Sequence, residues 1–310
     1  MTRAIVAEGY GGPEVLAVQD IELPQPSEAQ VLVDVRAAGA NPIDFKLYSG
    51  AMGRDPARLP MPVGMEVAGV VAAVAPGVAG YTGPLTVGDE VIVTGIDGGY
   101  ADRVVANAVD VGHKPAALSF EHGAGLLLAG GTAWHLLTKT NVGMNDTVLI
   151  HGASGGVGLM AVQLAVARGA MVIATASPAR HDQLRKYGAD PVAYGAGLAD
   201  RVRTIGRVDA ALDLIGTDEA LDTSVELVAD KSRIATIAGF ARAGELGIAV
   251  LTGADGGQAI RDASRGELLA LAADGKLEVT VDKVFPLEEA PEAHRYLQTG
   301  HARGKVVLVP

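Results

Sequence analysis

Apolar positions change their rhythm along this chain. In the first third they fall in short strand-like runs at Thr2–Ala7, Gln30–Ala37, Val67–Val74, Glu90–Val93 and Tyr100–Ala106. Turn clusters such as Gly11-Gly12-Pro13, Leu23–Ser27 and Asp97-Gly98-Gly99 separate them. Short strands divided this way predict a barrel or a sandwich. The pattern changes near Leu118, and His122–Thr138 is one apolar stretch of helix length. From Thr147 onward strands and helices alternate. The strands are Val148–His151, Met171–Ala176, Pro191–Tyr194, Val208–Leu214, Arg233–Ala238 and Gly247–Leu251. The helices are Leu159–Arg168, Ala179–Tyr187, Gly197–Ile205, Glu219–Val228 and Arg261–Ala273. That alternation predicts a parallel, doubly wound α/β sheet. The tail then reads strand (Lys276–Val284), helix (Leu287–Leu297), strand (Lys305–Val309), a return to the first domain. The expected division is 1–118 with 262–310 as a β-rich domain and 119–261 as the α/β domain.

Within the α/β domain a single segment carries chemistry, TVLIHGASGGVG at Thr147–Gly158. A strand ends in a glycine-rich turn, and Val157, Met160, Ala161, Leu164 and Ala165 then recur at helical spacing. Such a turn lets backbone N–H groups approach a pyrophosphate at a helix N-terminus, where the helix dipole favours negative charge. The groups expected over the phosphates are Ser154, Gly155, Gly156 and Val157. A second strand follows Gly169, which completes a βαβ unit of about thirty residues. The context is that of a nucleotide-binding turn rather than of a tight bend alone.

Composition narrows the field. Apolar residues make up 49% and charged residues 20% of 310, so a sizeable core is expected and extensive disorder is not. A net charge of −11 argues against nucleic-acid binding and against anionic membrane surfaces. The most apolar long stretch, Val157–Ala176, is interrupted by Gln163, Arg168 and Gly169 and reads as helix plus strand, not as a membrane span. MTRAIVAEGY has no apolar signal core, so a cytoplasmic location is the expectation. There is no cysteine, which removes disulfides and thiolate metal ligands. The seven histidines show no paired spacing. His113, His122, His135, His151, His181, His294 and His301 read as solvated or core residues.

Six landmarks now stand together: GGPEVL at 11–16, NPIDFKLYSG at 41–50, GMEVAGVV at 64–71, GGYADRVV at 98–105, GASGGVG at 152–158 and GKVVL at 304–308. On these the chain resembles, over essentially its full length, the medium-chain dehydrogenase/reductase family in its zinc-free quinone oxidoreductase branch. Asn145-Asp146, Leu149, Ala153-Ser154, Gly155-Gly156, Gly158 and Gln163 also follow the branch's signature, which departs only at Val166, where Lys, Arg or Ser is usual. The zinc branch has a His where this chain has Met65, and cysteines that this chain lacks. No metal is therefore expected, and Glu66, behind the metal position of zinc relatives, is read as a structural hydrogen-bonding residue.

The resemblance implies a Rossmann nucleotide domain, a chaperonin-10-like barrel, and NADPH held in the cleft between the two lobes. Charge supports that choice of cofactor. NAD-binding folds carry an acid about twenty positions past the glycine turn to accept the ribose 2′-OH. Here Ser177 stands at that place and Arg180 follows. An Arg–phosphate contact contributes about 1.5–3 kcal/mol toward NADPH. The resemblance places Tyr194 beside the same phosphate. It adds Thr132, Ile215, Ile237, Gly239 and Lys305 to the cofactor contacts. At the hydride site it implies Asn41 as the residue that orients the nicotinamide or the substrate oxygen. Lys46 stands where some quinone reductases have Tyr, as in enone and alkenal reductases. Its ammonium would stabilise a developing enolate. Tyr48 is a second proton donor, and Tyr100 a third that is as readily a core residue. The implied reaction is direct hydride transfer to a quinone, with two alternatives: reduction of an α,β-unsaturated carbonyl, or NADPH binding without catalysis. A homodimer is implied too, through edge pairing at Arg233–Ala238.

Overall fold

The computed structural model describes residues 1–254 and 256–310. Two compact units share the chain, Met1–Leu128 with Val279–Pro310, and Ala129–Glu278. Both boundaries lie later than the apolar rhythm suggests. The helix Phe120–Ala124 belongs to the first unit and the helix Gly257–Ala273 to the second. The second assignment has a packing cause. A Cβ built on Gly130, in the helix Leu127–Lys139, would lie 3.2 Å from Leu268 of the Gly257–Ala273 helix. The single long helix expected at 122–138 is broken after Ala124 and restarts at Leu127.

The first unit is built on antiparallel pairing. Gln30–Ala40 is its central strand and pairs with Glu66–Val74, with Arg103–Asn107 and with the final strand Lys305–Val309. Thr2–Ala7 pairs with Leu16–Ile21, a strand whose alternating burial is not evident from its sequence. The tail does return to this unit, since Val281–Pro286 runs parallel to Lys305–Val309. Its core is made of Val, Ile, Ala and Leu from these strands together with Tyr48 and Tyr100.

The second unit is a six-stranded, all-parallel sheet. In spatial order its strands are Ala189–Val192, Met171–Thr175, Thr147–His151, Ala210–Asp213, Ile234–Thr236 and Ala249–Val250. Counted along the chain this is the 3-2-1-4-5-6 order of a dinucleotide-binding fold, which reverses direction between the first and fourth strands. The expected dimer edge is thereby corrected. Ile234–Thr236 is an inner strand, and the two outer ones are Ala189–Val192 and Ala249–Val250. Signature residues prove to be scaffold. Asp146 receives a two-pronged hydrogen bond from Arg233, at 3.1 and 2.8 Å. Asn145 takes the left-handed conformation, φ 67°, that the turn before the first strand requires. Gln163 ties its helix to Glu278 by two hydrogen bonds, at 3.0 and 2.7 Å. No helix among the described residues is long and apolar enough to cross a membrane.

Candidate functional site

Ligands of such sheets bind outside the carboxyl ends of the strands, at the point where the strand order reverses. The first strand ends at His151, and Gly152 follows with φ +72°, a value that suits glycine. The helix Gly156–Ala167 starts four residues on, with Gly155 as an N-cap that offers no side chain. Its first N–H groups have no partner within the helix and form an end that can accept an anion. Elsewhere in the unit Thr217 caps its own helix by accepting from Ala220 N–H at 3.3 Å. Gly158 serves a different end. A Cβ there would lie 2.3 Å from the Gly152 carbonyl oxygen, so only glycine lets this helix approach the turn.

The expected cofactor contacts line up along the same end of the sheet. Ser154–Val157 follow the first strand, Ser177 and Arg180 the second, Tyr194 the third, Ile215 the fourth, and Ile237 with Gly239 the fifth. The fourth and fifth loops are locked together. Asp213, fully buried, accepts from the Gly216 N–H at 2.9 Å and from the Thr236 hydroxyl at 2.5 Å. The Thr236 oxygen in turn accepts from the Ala238 and Gly239 N–H groups. Gly216 and Gly239 face each other too closely for a side chain on Gly216. Ile215 and Tyr194 are left half exposed or more. Thr132, by contrast, is buried within the Leu127–Lys139 helix. A glycine-rich turn at a helix N-terminus, with Ser177 rather than an acid after the second strand and Arg180 at the end of that loop, fits a phosphorylated dinucleotide.

The first unit holds a second polar cluster, entirely inside it. Lys305 donates to Asn41 Oδ1 and, at 2.8 Å, to Glu66 Oε1. Asn41 Nδ2 donates to Gly39 O at 3.1 Å and to Glu66 Oε1 at 3.0 Å. Glu66 Oε2 accepts from Leu128 N–H at 3.0 Å. All three side chains are buried. Gly39 makes room for the carboxylate, since a Cβ there would lie 2.4 Å from Glu66 Oε1. The roles expected of Asn41 and Lys305 change accordingly. The Asn41 amide donates to Gly39 O and to Glu66, and Lys305 donates to Asn41 and to Glu66, so both side chains are engaged inside this cluster. The reading of Glu66 as a structural residue holds in its geometry.

Tyr48 also finds another partner. It is fully buried, and its hydroxyl lies 2.7 Å from His294 Nδ1. His294 Nε2 lies 3.0 Å from the Tyr100 oxygen, and Tyr100 donates to Asp44 Oδ2 at 2.8 Å. Asp44 Oδ2 also accepts the Asn41 N–H at 2.8 Å, which caps the helix Pro42–Tyr48. The donors then run one way, from Tyr48 through His294, protonated on Nε2, and Tyr100 to Asp44. One imidazole thus pins both ends of this short helix. Sequence reasoning misses Asp44 and His294, although Asn41-x-x-Asp44 is itself a capping-box pattern. Lys46, on the same helix, is half-buried, and that burial lowers its pKa.

The two units respond differently to acid. Burial lowers the pKa of His294 and of His151 to about 4, and raises that of Asp44 to about 7. Between about pH 6.5 and 4 the unfolded chain protonates its histidines while these two folded ones stay neutral. Stability is therefore lost as pH falls through that window. Asp44 acts oppositely, because its folded carboxyl takes up a proton near pH 7, before the unfolded one does. In the first unit Asp44 offsets His294. In the second, His151 is uncompensated, with Nε2 buried and unpartnered. Hydrogen exchange at pH 7 and pH 5 is expected to show protection falling more in 129–278 than in the first unit. Equal losses in both would contradict this account.

Zinc does not fit the donor set. The chain has no cysteine, Glu66 is already neutralised by Lys305, and no group of three His, Asp or Glu lies together among the described residues. Comparison with known proteins gives the context. Residues 27–142 match the alcohol dehydrogenase GroES-like domain, and residues 187–308 match the zinc-binding dehydrogenase domain. A quinone oxidoreductase of Pseudomonas aeruginosa is 32% identical over 100% of both chains. The structure of Escherichia coli quinone oxidoreductase complexed with NADPH superposes with a TM-score of 0.86 at 28% identity, covering 99% of this chain and 100% of that one. An NAD-dependent alcohol dehydrogenase structure gives 0.86 at 30% identity, covering 99% of each chain. A β-rich unit that ends in the chain's last strand, a parallel sheet in 3-2-1-4-5-6 order and these full-length matches lead to one conclusion: the chain belongs to the medium-chain dehydrogenase/reductase family.

Proposed function

We propose that this protein is an NADPH-dependent, metal-independent oxidoreductase that reduces a quinone. The observation that carries the reading is the open N-terminus of the Gly156–Ala167 helix, held by Gly152 and Gly158 at the sheet's switch point. NADPH, when bound, supplies the hydride. The N–H groups of Ser154, Gly156 and Val157 would bind its pyrophosphate, the Gly155 N–H being held by the Gly152 carbonyl at 3.2 Å. Arg180, Ser177 and Tyr194 would receive the 2′-phosphate, and the locked Ile215 and Ile237–Gly239 loops would line the path toward the nicotinamide. Lys46 stabilises the oxyanion that develops on the acceptor and delivers a proton to it. A lowered ammonium pKa makes that donation easier near neutral pH. Quinone oxidoreductase relatives matched end to end support the acceptor class.

Lys46 also favours a second reading, in which the acceptor is an α,β-unsaturated carbonyl and the ammonium faces an enolate. Turnover on 9,10-phenanthrenequinone and on 3-buten-2-one separates the two. The cofactor assignment is tested with Arg180→Ala. The Michaelis constant for NADPH is expected to rise about tenfold and that for NADH less than about twofold, the loss of one charge-assisted contact. Equal effects on both would overturn it. A homodimer remains the assembly that the family suggests, with the outer strand Ala249–Val250 as the pairing edge.

A further inference from the structure

The loop after the third strand of the parallel sheet is built around a single guanidinium. Arg201 Nε donates to the Ala193 carbonyl at 3.1 Å and Nη2 to the same oxygen at 2.9 Å. Nη2 also donates to the Gly195 carbonyl at 2.7 Å, and Nη1 to the Ala196 carbonyl at 2.7 Å. From the other side, Glu219 Oε2 accepts the Gly195 N–H at 2.9 Å. The loop needs such a clamp. Gly195 and Gly197 both have left-handed φ, +101° and +80°, and glycines of this kind leave an unclamped segment many conformations. Between the clamped carbonyls stands Tyr194, 61% exposed. The scaffold therefore turns three carbonyl oxygens inward and one aromatic side chain out.

We infer that Arg201 is the positioning residue that sets this protein's preference for a 2′-phosphorylated dinucleotide, by fixing Tyr194 in place before the cofactor arrives. The inference rests on the reading of the cofactor site above. Its physical basis is preorganisation: a side chain already held in its bound position costs less ordering entropy on binding. Arginine is required because one planar fork reaches three carbonyls at once, whereas a lysine ammonium is a point charge with three mobile donors. Arg201 touches neither cofactor nor substrate in this scheme and acts through Tyr194 alone.

The test uses the full chain and two probes of the adenosine half, adenosine 2′,5′-bisphosphate and 5′-AMP, followed by calorimetry. Arg201→Lys and Arg201→Met are expected to weaken the bisphosphate by about tenfold and 5′-AMP by less than about twofold. kcat at saturating NADPH should stay unchanged. Tyr194→Phe should weaken the bisphosphate as well. In that background a further Arg201→Met should cost little, because coupled residues are not additive. Equal weakening of both probes, or full additivity with Tyr194→Phe, would overturn the inference and reduce Arg201 to general scaffolding. An effect of Tyr194→Phe with none of either Arg201 variant would overturn the inference alone. Absence of any effect of Tyr194→Phe would take it down together with the proposed phosphate site. The lysine variant keeps the test open if the methionine variant does not fold.

Discussion

Replacing Lys305 with methionine is expected to cost about 3–5 kcal/mol of stability, because it strands the Glu66 carboxylate without its counter-charge in a dry interior. Glu66 is fully buried and Lys305 nearly so, 2.8 Å apart at Oε1. The pair joins three segments of the first unit that are distant in sequence: Glu66 opens one strand, Lys305 opens the last, and Asn41 follows the strand between them. Removing one charge leaves the other desolvated and unpaired, whereas removing both does not. The double variant Lys305→Met with Glu66→Gln should therefore recover much of the loss, since glutamine can still accept from the Leu128 N–H. Urea unfolding followed by circular dichroism reads both. A single variant within about 1 kcal/mol of the parent, or a double variant no better than the single, would show that the cluster does not hold this unit together.

Two glycines of the phosphate turn should fail in opposite ways. Gly158→Val puts a side chain into backbone atoms, its Cβ 2.3 Å from the Gly152 oxygen and 2.7 Å from Ala153 Cα. Neither is the flexible end of a side chain, so the helix must leave the sheet. Loss of the folded second unit is expected, read by fluorescence of Trp134, the chain's single tryptophan. Gly155→Ala is different. Its φ of −81° suits alanine, and the nearest neighbour of the new Cβ is 3.6 Å away. Its melting temperature should stay within a few degrees of the parent, with ΔΔG under about 1 kcal/mol. NADPH affinity should nevertheless fall about tenfold or more, because the methyl group stands at the helix end proposed to hold phosphate. A folded Gly158→Val that binds NADPH normally, or a Gly155→Ala with parental affinity, would break the distinction between the scaffold glycine and the ligand glycine.

Much of this architecture is legible in the chain itself, because periodicity reports local burial. Lys305–Val309 and Thr2–Ala7 are legible to the residue, and the alternating middle segment forms the parallel sheet expected of it. The pattern misleads where long-range packing decides. Gly247–Leu251 is legible as a strand and forms at Ala249–Val250, but periodicity does not report lateral order, so Ile234–Thr236 looks like an edge until its pairing with Ala249–Val250 is seen. The Gly257–Ala273 helix is legible as a helix, but its attachment to Gly130 is not, so the second domain boundary falls too early. At the site the strand-end positions can be found by counting from the glycine turn. The partners of Tyr48, Asn41 and Lys305 cannot. His294 lies 246 residues from Tyr48, and Lys305 lies 264 residues from Asn41, beyond the reach of any local pattern. Arg201 is hidden for another reason: an arginine on an amphipathic helix looks solvated until its carbonyl partners are seen.

The central claim is that the open helix end after the first parallel strand grips a phosphorylated pyridine dinucleotide. Calorimetric titration of the folded, unaltered protein with NADPH tests it most directly. Saturable one-site binding, tighter for NADPH than for NADH, is the expected result. Absence of any binding of NADPH or NADP⁺ up to about 1 mM, the top of the range of ordinary Michaelis constants, would contradict it.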